Sequence, residues 1–111
     1  MKGNNLGELE ELILLTVGVL HPDAYGVAVM DELDLQARRS LNISAVHAVL
    51  TRLEEKGLLR SKMSEPSDVR GGRRKRIFQL TASGKRALEE AHELRTQLYK
   101  RLPKIAFQFS C

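Results

Sequence analysis

What most limits the folds open to this chain is a change of hydrophobic period at Gly57. Up to that glycine the sequence repeats as helices do, over the next two dozen residues it alternates as strands do, and from Thr81 it is helical again. A chain of 111 residues built this way is the size of one ordinary domain, mainly α with a small β-hairpin. The stretch leading into the glycine, Leu41–Leu59, reads as one capped amphipathic helix over about residues 43–56. Asn42 offers a side-chain oxygen to the unpaired amides of the first turn, and Gly57 supplies the left-handed residue on which helices commonly stop. At about 100° per residue, Val46, Val49, Leu50 and Leu53 share one face and require a core, while Ser44, Ala48, Thr51 and Glu55 share the opposite one. Hydroxyls and small side chains, Ala45 among them, cluster near the helix start, with His47 and Arg52 on the flanks. Such a face can lie close against another surface, and a DNA major groove is one that admits it.

The elements on either side fit around this helix. Leu9, Leu12, Ile13, Leu15 and Leu20 make a strongly apolar helix from about Glu8 to Leu20, which needs cover from other helices or from a second subunit. Its acids Glu8, Glu10 and Glu11 sit in the first turn, where negative charge complements the helix dipole. His21-Pro22-Asp23 ends it. A second, shorter helix from about Tyr25 to Gln36 aligns Val27, Met30 and Leu33. Gly26 at its start marks either a helix terminus or a place where the backbone passes close to something. Arg38-Arg39-Ser40 form a basic turn into the third helix, and two helices so spaced make a helix-turn-helix arrangement.

Beyond Gly57, Leu59, Ser61 and Met63 alternate with Arg60, Lys62 and Ser64, and Arg76, Phe78 and Leu80 alternate with Ile77 and Gln79. These are the strands of a hairpin over about residues 59–80, with turn formers in Glu65–Asp68 and in Gly71-Gly72. The charge of the chain is concentrated there. Its net charge is +4, and Arg70, Arg73, Arg74, Lys75 and Arg76 lie together with no acid among them, so the rest of the chain is close to neutral. Cations on a solvated edge also discourage sheet-to-sheet aggregation. Two adjacent glycines, however, let a backbone close on a sugar–phosphate ridge, and arginine pairs with phosphate through two hydrogen bonds. Thr81 then caps a last helix over about residues 82–102, ended by Pro103 and roughly 31 Å long. Leu88, Ala91, Leu94, Leu98 and Leu102 form a stripe along it, interrupted by Arg95. The stripe packs either within the domain or against a second copy of the chain. In the tail, Ile105, Phe107 and Phe109 alternate with other residues and are expected to pack on that helix or on the partner.

Several function classes are disfavoured. Cys111 is the only cysteine, which excludes an internal disulfide and fits a reducing compartment. His21, His47 and His92 show no ligand spacing, so neither a metal nor another cofactor is expected. Paired carboxylates, a nucleophile with its base and a phosphate loop are all missing, and an enzyme is not expected. Aromatic residues make up 5% of the chain, too few to favour stacking on unpaired RNA bases. No long apolar run or leader stands out, so a cytoplasmic protein without a membrane partner is expected.

The chain resembles the PadR family of bacterial transcription regulators over nearly its whole length. The resemblance is carried by Leu6-Gly7-Glu8-Leu9-Glu10, Ala24-Tyr25-Gly26, Leu53-Glu54-Glu55-Lys56-Gly57-Leu58-Leu59, Gly71-Gly72-Arg73-Arg74-Lys75-Arg76 and Leu80-Thr81-Ala82-Ser83-Gly84, in that order. It implies a winged helix-turn-helix over residues 1–80 and a C-terminal dimerisation helix and tail over residues 81–111, as in the short branch of the family. It further implies a homodimeric repressor on a pseudo-palindromic operator in double-stranded DNA. Asn42, Ser44, Ala45, His47, Ala48, Thr51 and Arg52 would serve in the recognition helix, and Arg70, Gly71, Gly72, Arg73, Arg74, Lys75 and Arg76 in the wing. Tyr25 and Arg38 would lie near the DNA, and Leu88, Ala91, Leu94, Leu98 and Leu102 would line the dimer interface. Two departures stand out: Val46-His47 replaces a usual Leu-Tyr, and Ile77-Phe78 replaces paired aromatics. Family members respond to small aromatic compounds at a dimer-interface pore, but this chain has no tryptophan to stack there and no effector can be named. The alternative reading is a winged helix used as a protein-interaction module, its basic hairpin docked on an acidic partner.

Overall fold

The computed structural model describes residues 6–65 and 74–104. Arg70, Gly71, Gly72 and Arg73, expected in the wing, and the tail from Ile105 onward lie outside the described residues. The elements run α1 (Glu8–Leu20), α2 (Gly26–Ala37), α3 (Ile43–Glu55), β1 (Leu59–Met63), β2 (Arg76–Leu80) and α4 (Ala82–Lys100), a mainly helical winged helix with a two-stranded antiparallel wing. No helix among the described residues is long and apolar enough to cross a membrane.

The core lies where α1, α2 and α3 meet the hairpin. Ile13, Leu14 and Val17 come from α1, Val29 and Leu33 from α2, and Val46, Val49, Leu50 and Leu53 from α3, all buried. The α3 set is the apolar face that the helical period marks out. Each such side chain contributes about 1.5–3 kcal/mol on burial. Both ends of α3 are closed as the sequence predicts. The Asn42 Oδ1 accepts from the Ala45 amide at 2.7 Å, and Gly57 takes φ +79° while the Leu58 amide donates back to the Leu53 carbonyl at 2.9 Å.

The hairpin pairs Leu59 with Leu80 and Met63 with Arg76. Strict alternation predicts one buried face, but β2 buries the adjacent Ile77 and Phe78. The cause is that α1 and α4 both pack against β2 while β1 covers one of its edges. The link between α1 and α2 runs along its other side, where the Phe78 amide donates to the Ala24 carbonyl at 2.8 Å.

The last helix starts inside this body. The Thr81 hydroxyl accepts from the Gly84 amide at 3.0 Å and donates to the Gly57 carbonyl at 2.7 Å, so one side chain caps α4 and fastens it to the end of α3. Gly84 lies so close to the Leu58 carbonyl that a β-carbon would overlap it. Ala87 is buried and Leu88 packs against the core. Leu88, expected at a dimer interface, is half-buried there against its own core. Further on, Leu94, Leu98 and Tyr99 are exposed, Leu98 at 53%. The helix ends at Lys100, with Arg101 as its C-cap and Leu102 in the turn before Pro103.

Candidate nucleic-acid interface

The outer face of α3 is uncovered. Ser44, His47, Ala48, Thr51 and Glu55 are exposed and Ala45 is half-buried, while Asn42 is exposed with its side-chain oxygen committed to the cap. Apart from His47 and Glu55 this face carries no long side chain, which leaves the helix backbone approachable from outside.

His47 explains the odd glycine at the start of α2. A β-carbon on Gly26 would stand 2.7 Å from both Cε1 and Nε2 of the His47 imidazole. Gly26 is buried, and the ring lies over it. The close approach anticipated for that glycine is therefore to α3 itself. Next to it, Tyr25 is the N-cap of α2, and the Lys75 Nζ sits 4.0 Å from the centre of its ring. A cation over an aromatic face at such a site contributes about 0.5–1 kcal/mol. The root of the wing is thus held beside the start of α2 and, through Gly26, beside α3.

The other described wing cations have their own settings. Arg74 is exposed. Arg76 donates from Nη1 to the Ser61 hydroxyl at 2.8 Å, and that hydroxyl donates to Glu54 on α3 at 2.8 Å, so the base of the wing is tied to α3. Ser64 and Lys75 close the described end of the hairpin: the Ser64 amide donates to the Lys75 carbonyl at 2.7 Å and the Lys75 amide to the Ser64 hydroxyl at 2.8 Å. Arg38 is the exposed C-cap of α2, with the left-handed angles φ 54° and ψ 36°.

Arg52, on the flank of α3, is turned toward α1, with Nη1 3.5 Å from Glu10 Oε2. Lys56 Nζ lies 3.0 and 3.1 Å from the two oxygens of the same carboxylate. Glu10 is 9% exposed, and the Gly7 amide donates to its Oε1 at 2.9 Å. Burial on its own raises this carboxyl, but the Gly7 amide, Lys56 and Arg52 outweigh burial and hold it below its ordinary value of 4.5. A nearly buried carboxylate left without partners is costly, which is why the two cations are drawn inward. The neighbouring acids act in parallel: Glu8 pairs with Arg39 in the turn before α3, and Glu11 with Arg95 on α4 at 2.7 Å. The first turn of α1 therefore grips three other parts of the fold. Helix-dipole reasoning accounts for acids at this place but gives no hint of these partners.

Comparison with known proteins agrees with this architecture. The model of the transcriptional regulator PadR-like family matches residues 14–90. A PadR-like transcription factor from Bacteroides fragilis is similar in structure, with a TM-score of 0.70 and 25% identity, over 83% of this chain and 84% of that one. A protein of Streptococcus mutans UA159 is similar at a TM-score of 0.65 and 29% identity, over 83% and 78% of the two chains. A PadR family transcription regulator from Clostridium difficile R20291 gives 0.61 and 28%, over 89% and 96%. A search of curated proteins returns no significant match. With its wing rooted beside the uncovered face of α3 and the family model spanning most of its length, this chain belongs to the PadR-like family of transcriptional regulators.

Proposed function

We propose that the chain is a sequence-specific DNA-binding regulator, a repressor that grips a pseudo-palindromic operator as a homodimer. The observation that carries this reading is the placement of an open, small-residue face on α3 beside a basic wing rooted at Tyr25. In this reading α3 enters a major groove, where the hydroxyls of Ser44 and Thr51 meet base edges and the methyls of Ala45 and Ala48 meet thymine methyls. His47 donates to a phosphate from the edge of the helix. Arg38 and the wing, Arg70 through Arg76, straddle the adjacent backbone and supply affinity more than discrimination. Leu94, Leu98 and Tyr99 on the far part of α4 and Leu102 just beyond its end, together with the exposed Leu15 and Val19 on α1, provide apolar surface for a second copy. Pairing doubles the phosphate contacts and sets the half-sites about one helical turn, or a multiple, apart.

The test is a titration of labelled duplex DNA over a salt series. Replacing Arg73, Arg74 and Arg76 by alanine is expected to flatten the slope of log affinity against log salt by about 0.9 for each phosphate no longer neutralised. Thr51→Ala is expected to change sequence preference and leave the slope nearly unchanged. Equal slopes for the unmodified chain and the triple variant reject the wing assignment. Negligible affinity for random duplex at low salt favours a protein-interaction module in place of a DNA reader.

A further inference from the structure

Glu10 touches none of the surfaces assigned to DNA, yet it holds Arg52 and Lys56 at the C-terminal end of α3. Arg52 follows Thr51 directly and borders the reading face, with its side chain 53% exposed. A cation in that place is attracted to any duplex, because a phosphate contact carries no sequence information. We propose that Glu10 is a specificity-determining residue whose carboxylate takes the place of a DNA phosphate and occupies Arg52 and Lys56. The recognition helix then meets DNA through its hydroxyls and methyls, without a sequence-blind pull at its far end.

The geometry separates this carboxylate from an ordinary surface partner. Both of its oxygens are engaged by Lys56, and the Gly7 amide fixes one of them from the start of α1. Its side chain is nearly buried, whereas that of Glu8, paired with Arg39, is 77% exposed. Glu8 can swing into water and release its arginine when a phosphate approaches. Glu10 has nowhere to swing, so it competes with a phosphate at full strength. The inference rests on the DNA-binding reading and adds to it a residue that lowers general affinity in order to preserve discrimination.

The test uses the full chain and two labelled duplexes: one of random sequence, and one enriched from a random pool by the unmodified protein. Glu10→Gln keeps the shape and an acceptor for the Gly7 amide but removes the charge. It is expected to bind the random duplex about five- to tenfold more tightly near 0.1 M salt, with a slope steeper by about 0.9 for each cation set free. The preference for the enriched duplex is expected to fall. Weaker binding to both duplexes with an unchanged slope marks a merely structural role and overturns the proposal. A second variant decides the matter even if Glu10→Gln does not fold. Arg52→Gln is expected to leave the slope unchanged, since its charge is already occupied; a slope shallower by about 0.9 shows a phosphate contact and overturns the proposal. If the unmodified chain shows no wing-dependent binding to duplex DNA, the DNA reading itself fails and takes this inference with it. Wing-dependent binding that is indifferent to both variants removes this inference alone.

Discussion

Arg38 sits where helices usually place glycine. Its left-handed backbone brings its β-carbon against the following carbonyl, at a cost of about 1–2 kcal/mol in a residue with a full side chain. Glycine removes that strain but loses more freedom on folding, so Arg38→Gly is expected to stabilise the fold by up to about 1 kcal/mol, a rise of a few degrees in Tm. The same substitution is expected to weaken DNA binding and flatten the salt slope by about 0.9, because it removes a cation beside the recognition helix. Thermal unfolding and duplex titration of the one variant check both effects. Raised stability with unaltered binding removes Arg38 from the interface. His47 and Gly26 form a second conspicuous pair of residues, in which a ring on one helix needs the missing side chain on another.

Among the elements, α4 depends on the tightest fit. Gly84→Ala places a β-carbon into the Leu58 carbonyl, a backbone atom that cannot turn aside. The variant is expected to lose about 1–3 kcal/mol, as overpacked sites do, and to show it as a lower midpoint in chemical denaturation. Stability equal to that of the unmodified chain means that α4 does not dock as described. This close fit also shows how far the sequence can be read. Asn42, Gly57 and Thr81 announce their caps because capping is a local matter, settled within three or four residues. The change of period announces the hairpin for the same reason. The partners of Glu8, Glu10 and Glu11 lie 31 or more residues away, in parts of the chain that meet α1 only after folding. Local pattern therefore places those acids at the start of α1 but cannot name the cations that meet them, Arg52 among these. The double burial of Ile77 and Phe78 is hidden in the same way, since alternation records the faces of a strand and not how many neighbours will cover them.

On the scale of the whole molecule, α4 beyond the Arg95–Glu11 pair carries exposed apolar residues away from the core. The first two turns of α4 are fixed by Thr81, Gly84, Ala87 and Leu88, whereas Leu98 lies beyond them and is exposed. Leu98→Asp is accordingly expected to leave the unfolding of the body nearly unchanged, within about 0.5 kcal/mol, while it converts a dimer to monomers and weakens operator binding. Sedimentation velocity, run beside duplex titration, checks this; a stable monomer before mutation rules out the dimer. The hairpin has a further consequence, for the order in which the chain can fold. The helices α1 to α3 are complete once Glu55 is made, but the largest fully buried side chain of their core, Phe78, arrives with β2. A chain cut after Gly57 leaves α1 to α3 around an unfilled place, at a deficit of about 3–5 kcal/mol. The three-helix body is therefore not finished by its own helices, and it becomes firm only when the wing folds back onto it.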